Sequence, residues 1–250
     1  LYLEKKIMKL TILILGSSGF IGKNLISQFL DYDLICLDKI KSKNIEKKDN
    51  IKYIDSDILN LEKNILPNND YIVINLMAEL GSASLKINRR NNVDSLKKIL
   101  KLISFNKTNC VGFIHFSSIS ASRAISAYGK TKLESENIIK NSTVPYIILR
   151  SEMIIGKGAR SIEKLKFALN IFPFFALMPR GGFVKRFPVK IEYVCKVVSH
   201  IIERNFFHSK SYELVSEPIL MRDLAKKYSN KIILPIPKFL LLFLAKALEK

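Results

Sequence analysis

Thirteen residues near the start constrain this chain more than any others: Leu10-Thr-Ile-Leu-Ile-Leu-Gly16-Ser-Ser-Gly19-Phe-Ile-Gly22. The aliphatic, β-branched run predicts a buried strand of a parallel sheet. It halts at three glycines and continues as a helical pattern over residues 20–30. Each glycine answers a separate need: Gly16 a tight turn, Gly19 the close approach of backbone to a pyrophosphate, Gly22 the packing of the helix on the strand. The first turn of such a helix has N–H groups without intrahelical partners, which suit an anion.

A second aliphatic run, Leu34-Ile-Cys-Leu37, predicts the next strand and ends at Asp38, 22 residues past Gly16. An acidic side chain about 20 residues beyond the glycines is placed to accept hydrogen bonds from adenosine ribose hydroxyls. Strand, glycine turn, helix, strand and acid together predict a dinucleotide site. Asp38 also repels a 2′-phosphate, which favours NAD over NADP, with Lys39 and Lys41 softening the preference.

The rest of the chain repeats the alternation. Residues 42–50 read as a polar loop and 51–54 as a third strand, which ends in Asp55-Ser-Asp57-Ile58 where a carboxylate can lie beside an adenine. Residues 71–76 predict a fourth strand, followed by Met77-Ala78-Glu79, in which the small Ala78 lets backbone approach a ligand. Val93, Leu96, Ile99, Leu100 and Ile103 recur at helical spacing within residues 87–105. A fifth strand, 111–116, runs into Ser117-Ser118, and ten residues after Ser118 comes Tyr128-Gly-Lys-Thr-Lys132, opening a helix to about residue 141. Tyr128 and Lys132, at i and i+4, share one helix face. Their place after a strand that ends in serines, at the carboxyl edge of an open α/β sheet, sets them apart from the same spacing at Tyr2 and Lys6.

Composition removes several alternatives. With 250 residues and 48% hydrophobic content, the chain can bury a sizeable core as one domain or as a large domain with a small appendage. The net charge of +19 comes from lysines scattered among Asn and Ile without interleaved aromatics, so nucleic acid is not expected as a partner. Cys36, Cys110 and Cys195 lie far apart in or beside apolar runs and predict reduced thiols in a cytoplasmic protein. The three histidines lack ligand spacing with them, so no metal is expected. The charged segment before Met8 and the short apolar run after it do not make a signal peptide, and Met8 is itself a candidate start. The apolar stretch 236–248 is shorter than the roughly 20 residues of a membrane span and predicts an amphipathic helix packed on the substrate lobe, with a membrane-surface or partner contact as the alternative. Residues 171–178 are expected to line core or substrate pocket.

Taken in order, Gly16-Ser-Ser-Gly-Phe-Ile-Gly22, Asp38, Asp57-Ile58, Asn75-Leu-Met-Ala78, Asn92-Val-Asp, Ser117-Ser118 and Tyr128-Gly-Lys-Thr-Lys132 resemble the extended short-chain dehydrogenase/reductase family, in its NAD-dependent epimerase/dehydratase branch. Val144-Pro-Tyr-Ile-Ile-Leu-Arg150 with Gly156-Lys-Gly158 is similar to that family's sixth strand and the loop toward its substrate region. The resemblance implies a doubly wound Rossmann-type parallel sheet over residues 8–150 and a small substrate lobe over 151–250, interleaved with the sheet. It implies that Ser18, Phe20 and Ile21 join the three glycines, Asp38, Asp57, Ile58 and Ala78 in holding NAD. Arg186, just before Phe-Pro-Val-Lys-Ile, resembles the arginine that binds a substrate diphosphate in nucleotide-sugar members.

Hydride exchange with a nicotinamide requires a proton to move on or off the substrate oxygen, and a tyrosine with a reference pKa near about 10 is a weak base at neutral pH. A positive charge on Lys132 favours the tyrosinate. By the same resemblance Tyr128 is the acid/base, Lys132 also binds the nicotinamide ribose, Ser118 bonds the reacting oxygen and Asn92 holds a water in the proton path. The expected activity is an NAD-dependent oxidoreductase or epimerase of a nucleotide-linked sugar. The Ser118–Tyr128 gap is short, Ser151 and Tyr193 replace a proline and an acid, and only about a hundred residues follow Arg150. These departures keep two alternatives open: a cofactor-binding assembly or scaffold protein without turnover, and a reductase of a non-sugar carbonyl compound. Homodimerisation is left open.

Overall fold

The structure, a computed structural model, describes residues 10–40, 48–62, 65–79, 84–105 and 109–236. Residues 1–9 with Met8, Lys41 with most of the 42–50 loop, and the C-terminal stretch from residue 237 lie outside the described residues.

The chain divides into two compact units, Leu1–Arg150 with Cys195–Glu213, and Ser151–Val194 with Leu214–Lys250. In the first unit the apolar runs become strands. They are β1 (Thr11–Leu15), β2 (Asp33–Asp38), β3 (Ile51–Asp55), β4 (Tyr71–Asn75), β5 (Cys110–Ser118) and β6 (Tyr146–Ser151). β1 and β4 are buried at every position, which matches their unbroken apolar sequence: both faces of a parallel sheet are covered. With β11 (Lys210–Leu214) they form a seven-stranded sheet in the order β11-β6-β5-β4-β1-β2-β3. β1 pairs in parallel with β2 and β4, β2 with β3 and β4 with β5. The order reverses between β4 and β1, the switch point at which connections leave an open α/β sheet in opposite directions. This is the doubly wound, Rossmann-type α/β fold expected from the sequence.

Between the strands run α1 (Phe20–Gln28), α2 (Leu85–Arg89), α3 (Ser95–Phe105), the short α4 (Ser120–Arg123) and α5 (Ala127–Lys140). The core of this unit joins Leu13, Val73 and Phe113 of the sheet to Leu96, Ile99 and Ile103 of α3 and Ile139 of α5. Two helices depart from expectation. α1 stops at Gln28, where the Phe29 N–H closes the last turn on Leu25 and Ile26. The helix expected over 87–105 starts earlier and carries a π-helical turn, Arg90–Asp94, between α2 and α3.

The second unit contains β7 (Met153–Ile155), α6 (Arg160–Leu169), β8 (Phe175–Pro179), β9 (Lys185–Arg186) and β10 (Pro188–Lys190), the last running into α7 (Ile191–Glu203). α7 carries the chain back into the first unit, and β12 (Ile219–Leu220), α8 (Met221–Lys226) and β13 (Ile232–Ile236) complete the second. Its strands pair two by two, β7 with β10 and β8 with β13 in parallel, β9 with β12 antiparallel. Leu165, Leu169, Ala176, Met178, Leu224 and Ala225 form its core. The 171–178 run is therefore divided: Ala176 and Met178 are core, while Phe174 is 81% exposed. Among the described residues no helix is long and apolar enough to cross a membrane.

Candidate active site

The glycine turn follows β1 directly. Gly16 adopts φ +82°, and a Cβ there would lie 3.1 Å from the Leu76 carbonyl carbon, so this position joins β1 to the end of β4 only as glycine. The turn is tied across the sheet by the Gly16 and Ser17 N–H groups, which both donate to the Leu37 carbonyl. Gly22 is buried, and a Cβ would lie 2.5 Å from the Ser17 carbonyl oxygen, which fixes how closely α1 packs on the turn. Gly19 caps α1 without any side-chain hydrogen bond. Phe20 and Ile21 follow, half-buried, in the first helical turn.

Asp38, at the end of β2, reaches back to this turn. Its Oδ2 accepts from the Ser18 N–H (3.0 Å) and hydroxyl (2.6 Å), and its Oδ1 accepts from the Ile40 N–H (3.1 Å). Two carboxylate oxygens offer about four acceptor sites, so one remains for a further donor. Asp57 caps a single turn of 3-10 helix, Ile58–Asn60, by accepting from Leu59 N–H at 3.0 Å, and its other oxygen meets Arg90 at 2.7 Å. Partial burial pushes the Asp57 carboxyl upward, but the Leu59 and Arg90 hydrogen bonds outweigh it and hold the carboxyl below its usual range. The Ile58 side chain is part of the core, and its carbonyl accepts from the Leu61 N–H at 3.3 Å.

Ala78 lies exposed on a loop held at both ends by buried asparagines. Asn75 Oδ1 accepts from Met77 N–H at 3.1 Å, and Asn92 Oδ1 accepts from Glu79 N–H at 2.9 Å. The Asn75 amide then donates to His115 Nδ1 at 3.1 Å, which fixes the neutral imidazole with its proton on Nε2. Burial and the neighbouring Lys132 charge keep His115 neutral far below its ordinary pKa. Asn92 stands in the π-helical turn and donates to Thr131 Oγ1 of α5 at 2.9 Å, so both polar ends of its side chain are engaged by protein. Neither the bracing role of Asn75 nor that of Thr131 was visible in the sequence.

α5 presents the remaining residues. Ser126 caps it by accepting from Gly129 N–H at 3.0 Å, which sets Tyr128 in the first turn. Ser118, at the end of β5, is nearly buried, accepts from Ser120 N–H at 3.1 Å and is hydrogen-bonded to Tyr128. Lys132 is 1% exposed; its Nζ donates to the Phe116 carbonyl at 2.9 Å and lies 5.9 Å from the centre of the Tyr128 ring. Burial pulls the Lys132 ammonium down to about 8, against an upward pull from Glu136, so at neutral pH it is mostly charged. Burial pushes Tyr128 up to about 12, the Ser118 hydrogen bond acting the other way. In the ligand-free chain Tyr128 therefore holds its proton at neutral pH. Burial dominates over the favouring of tyrosinate expected from Lys132.

One turn past Lys132, Glu136 is fully buried and was not singled out in the sequence. It accepts from Ser117 Oγ at 2.6 Å and from Arg150 Nε and a terminal guanidinium nitrogen at 2.8 and 2.6 Å. The i, i+4, i+8 series Tyr128, Lys132, Glu136 was the available signal. Arg186 belongs to the second unit, on exposed β9, where it pairs with Glu152 at 2.9 Å while the other Glu152 oxygen accepts from Phe187 N–H. Among the described residues no group of three or more His, Cys, Asp or Glu could hold a metal ion.

No curated protein matches the chain. Its fold is shared with UDP-glucuronic acid 4-epimerase from Bacillus cereus in complex with NAD, at 20% identity over 90% of this chain and 86% of that one, TM-score 0.76. It is shared with UDP-N-acetylglucosamine 4-epimerase from Methanobrevibacter ruminantium M1 in complex with UDP-N-acetylmuramic acid, at 18% identity, 90% and 84% coverage and TM-score 0.75. The Bordetella bronchiseptica enzyme WbmF in complex with NAD+ is a third, at 16% identity, 93% and 83% coverage and TM-score 0.72. At these identities the likeness is one of fold. The family model described as the NAD dependent epimerase/dehydratase family matches residues 12–170, a stretch that holds the glycine turn, Asp38, Ser118, Tyr128 and Lys132. The chain belongs to the NAD-dependent epimerase/dehydratase family.

Proposed function

We propose that the chain is an NAD-dependent oxidoreductase or epimerase of a nucleotide-linked sugar, in which Tyr128 exchanges the proton of the reacting oxygen. The observation that carries this reading is the meeting of Tyr128, Ser118 and buried, charged Lys132 at the carboxyl end of β5. The first unit is the cofactor-binding part and the second the substrate lobe.

The residues present fit a dinucleotide. Gly16 and Gly22 pack too closely on neighbouring backbone to carry a Cβ, which holds the turn in one shape, and the first turn of α1 has no side-chain cap competing for its N–H groups, which suits a pyrophosphate. Asp38 retains acceptor capacity for ribose hydroxyls, Asp57 and Ile58 sit at the next strand end, and Ala78 offers backbone unobstructed by a longer side chain. When bound, the nicotinamide supplies or accepts the hydride. Tyr128 delivers its phenolic proton to a carbonyl oxygen, or takes one from a hydroxyl in the reverse sense. Ser118 hydrogen-bonds that oxygen. Lys132 stabilises the phenolate left behind and reaches the nicotinamide ribose. Asn92 braces the Ala78 loop, and a water held beside it would link Lys132 to solvent. Arg186 offers a guanidinium to the substrate diphosphate, in exchange for Glu152.

The largest effect expected anywhere in the molecule tests this reading. Tyr128→Phe keeps the ring, so fold and the NAD-induced rise in melting temperature persist while turnover of a nucleotide sugar falls about 10²- to 10⁴-fold. Lys132→Met loses turnover and weakens NAD together, and Arg186→Ala raises KM for the nucleotide sugar and leaves NAD alone. Parental turnover by Tyr128→Phe overturns the mechanism. NAD binding without hydride exchange, across a panel of nucleotide sugars and simple carbonyl compounds, makes the scaffold reading the better one.

A further inference from the structure

We propose that Glu136 is a positioning residue for Lys132: a buried carboxylate, one helical turn further along α5, that joins this helix to the ends of β5 and β6. The proposal rests on the role of Lys132 given above and adds a residue that role does not require by itself.

The geometry is that of a keystone between three elements. From α5, Glu136 takes the Ser117 hydroxyl of β5 at 2.6 Å and a two-pronged guanidinium from Arg150 of β6 at 2.8 and 2.6 Å. Lys132 donates to the carbonyl of Phe116, the residue before Ser117, and Ser118, the residue after it, bonds Tyr128. Three consecutive residues at the end of β5 are thus bound by three successive turns of α5. Glu136 holds the middle one, so it sets the register between the Lys132 ammonium and the Ser118 hydroxyl.

Charge gives the second part. A fully buried carboxylate is costly unless paired, and Glu136 is paired by Arg150, with Lys140 a further cation at 3.7 Å. An apolar side chain would close the same gap between α5 and the strands without that cost. What it would lack is a negative charge beside Lys132. The groups that act on Lys132 are Tyr128 and Glu136 from its own helix and His115 with the Phe116 carbonyl from β5, while Arg150 of β6 acts through Glu136. Tyr128 and His115 are neutral near pH 7, so Glu136 is the anion among them that opposes the effect of burial on the ammonium. Without it, the Lys132 ammonium would give up its proton more readily.

The test reads Lys132 directly in the ligand-free chain. With 13Cε-labelled lysine, the Lys132 resonance is identified by its loss in Lys132→Met and titrated against pH. In Glu136→Gln the Lys132 midpoint is expected to move down by about one pH unit, because the opposing anion is gone. In Arg150→Met it is expected to move up, because the Glu136 charge is no longer neutralised by a guanidinium. Opposite signs from two variants that break the same ion pair are not what a purely structural role gives. A midpoint that stays put in both, or moves the same way in both, overturns the proposal. Should one variant fail to fold, the sign of the other decides. The titration needs neither cofactor nor turnover, so its outcome is separate from that of the Tyr128→Phe assay.

Discussion

The 16–22 turn and the face of α5 lie along the same carboxyl edge of the sheet and are built from opposite materials. The turn consists of backbone and missing side chains: Gly16 and Gly22 stand where a methyl group would press on neighbouring backbone, and α1 begins without a side-chain cap. The α5 face consists of buried polar side chains: Lys132, Glu136, Ser135 and Thr131 are all nearly or fully buried. A site of the first kind selects by shape and tolerates any change that keeps the backbone in place. A site of the second kind selects by charge, and each of its members depends on another. The difference separates substitutions that fail by collision from those that fail by leaving a partner unsatisfied.

The comparison is sharpest at Gly22→Ala. The new Cβ would meet three backbone atoms of Gly16 and Ser17 at 2.5 to 2.8 Å, and backbone cannot rotate away as a side chain can. A loss of about 3 kcal/mol in thermal unfolding is expected, with NAD affinity lost in parallel. Gly19→Ala, whose Cβ would meet only the Gly16 carbonyl oxygen at 3.3 Å, is the control and should unfold close to the parent. Equal melting temperatures for the two variants would remove shape as the principle of the turn.

Next in size is Asn92→Ala, which belongs to the second kind of site. It leaves the Glu79 N–H without its acceptor while Thr131 keeps its bonds to the Ala127 and Tyr128 carbonyls, and about 2 kcal/mol of stability is expected to go. Amide exchange of residues 76–79 should quicken while that of β1 does not. Uniform quickening would mean that Asn92 supports the sheet and not the loop.

The smallest effect is at Asp38, where the two kinds of site meet: a side chain that holds the glycine turn through Ser18. Asp38→Ala should narrow the preference for NADH over NADPH by about tenfold, or about 1.4 kcal/mol. Tighter binding of NADPH by the parent protein would reverse the cofactor assignment.

These two regions also differ in how far they could be read from sequence. The turn was legible because its signal is local: a strand, three glycines and an acid a fixed distance on, all set by covalent spacing. The sheet was legible for the same reason, since a strand buried on both faces, such as β4, must be apolar throughout. Glu136 was not, because a glutamate inside a helix normally faces water, and its burial here depends on Ser117, 19 residues earlier, and Arg150, 14 residues later. The π-helical turn was equally hidden: Val93, Leu96 and Ile99 fit an unbroken α-helix. The two-by-two strand pairing of the second unit, from segments of two to five residues, leaves no periodicity long enough to detect.

That π-helical turn has a consequence for how the gene can vary. At its end the Ser95 N–H and hydroxyl both return to the Arg90 carbonyl, which closes a ring one residue wider than an α turn. Such a ring is an α-helix with one residue inserted. Deleting any single residue between 90 and 94 would restore a regular helix and turn everything before it by about 100° relative to everything after it. α3 would keep Leu96 and Ile99 in the core, and Asn92, or whatever then stood in its place, would point away from Glu79. Elsewhere on the surface a chain can gain or lose a residue in a loop at little cost. Here, inside a helix, length itself is under constraint, and a frame-preserving deletion of one codon should be as damaging as the loss of the asparagine.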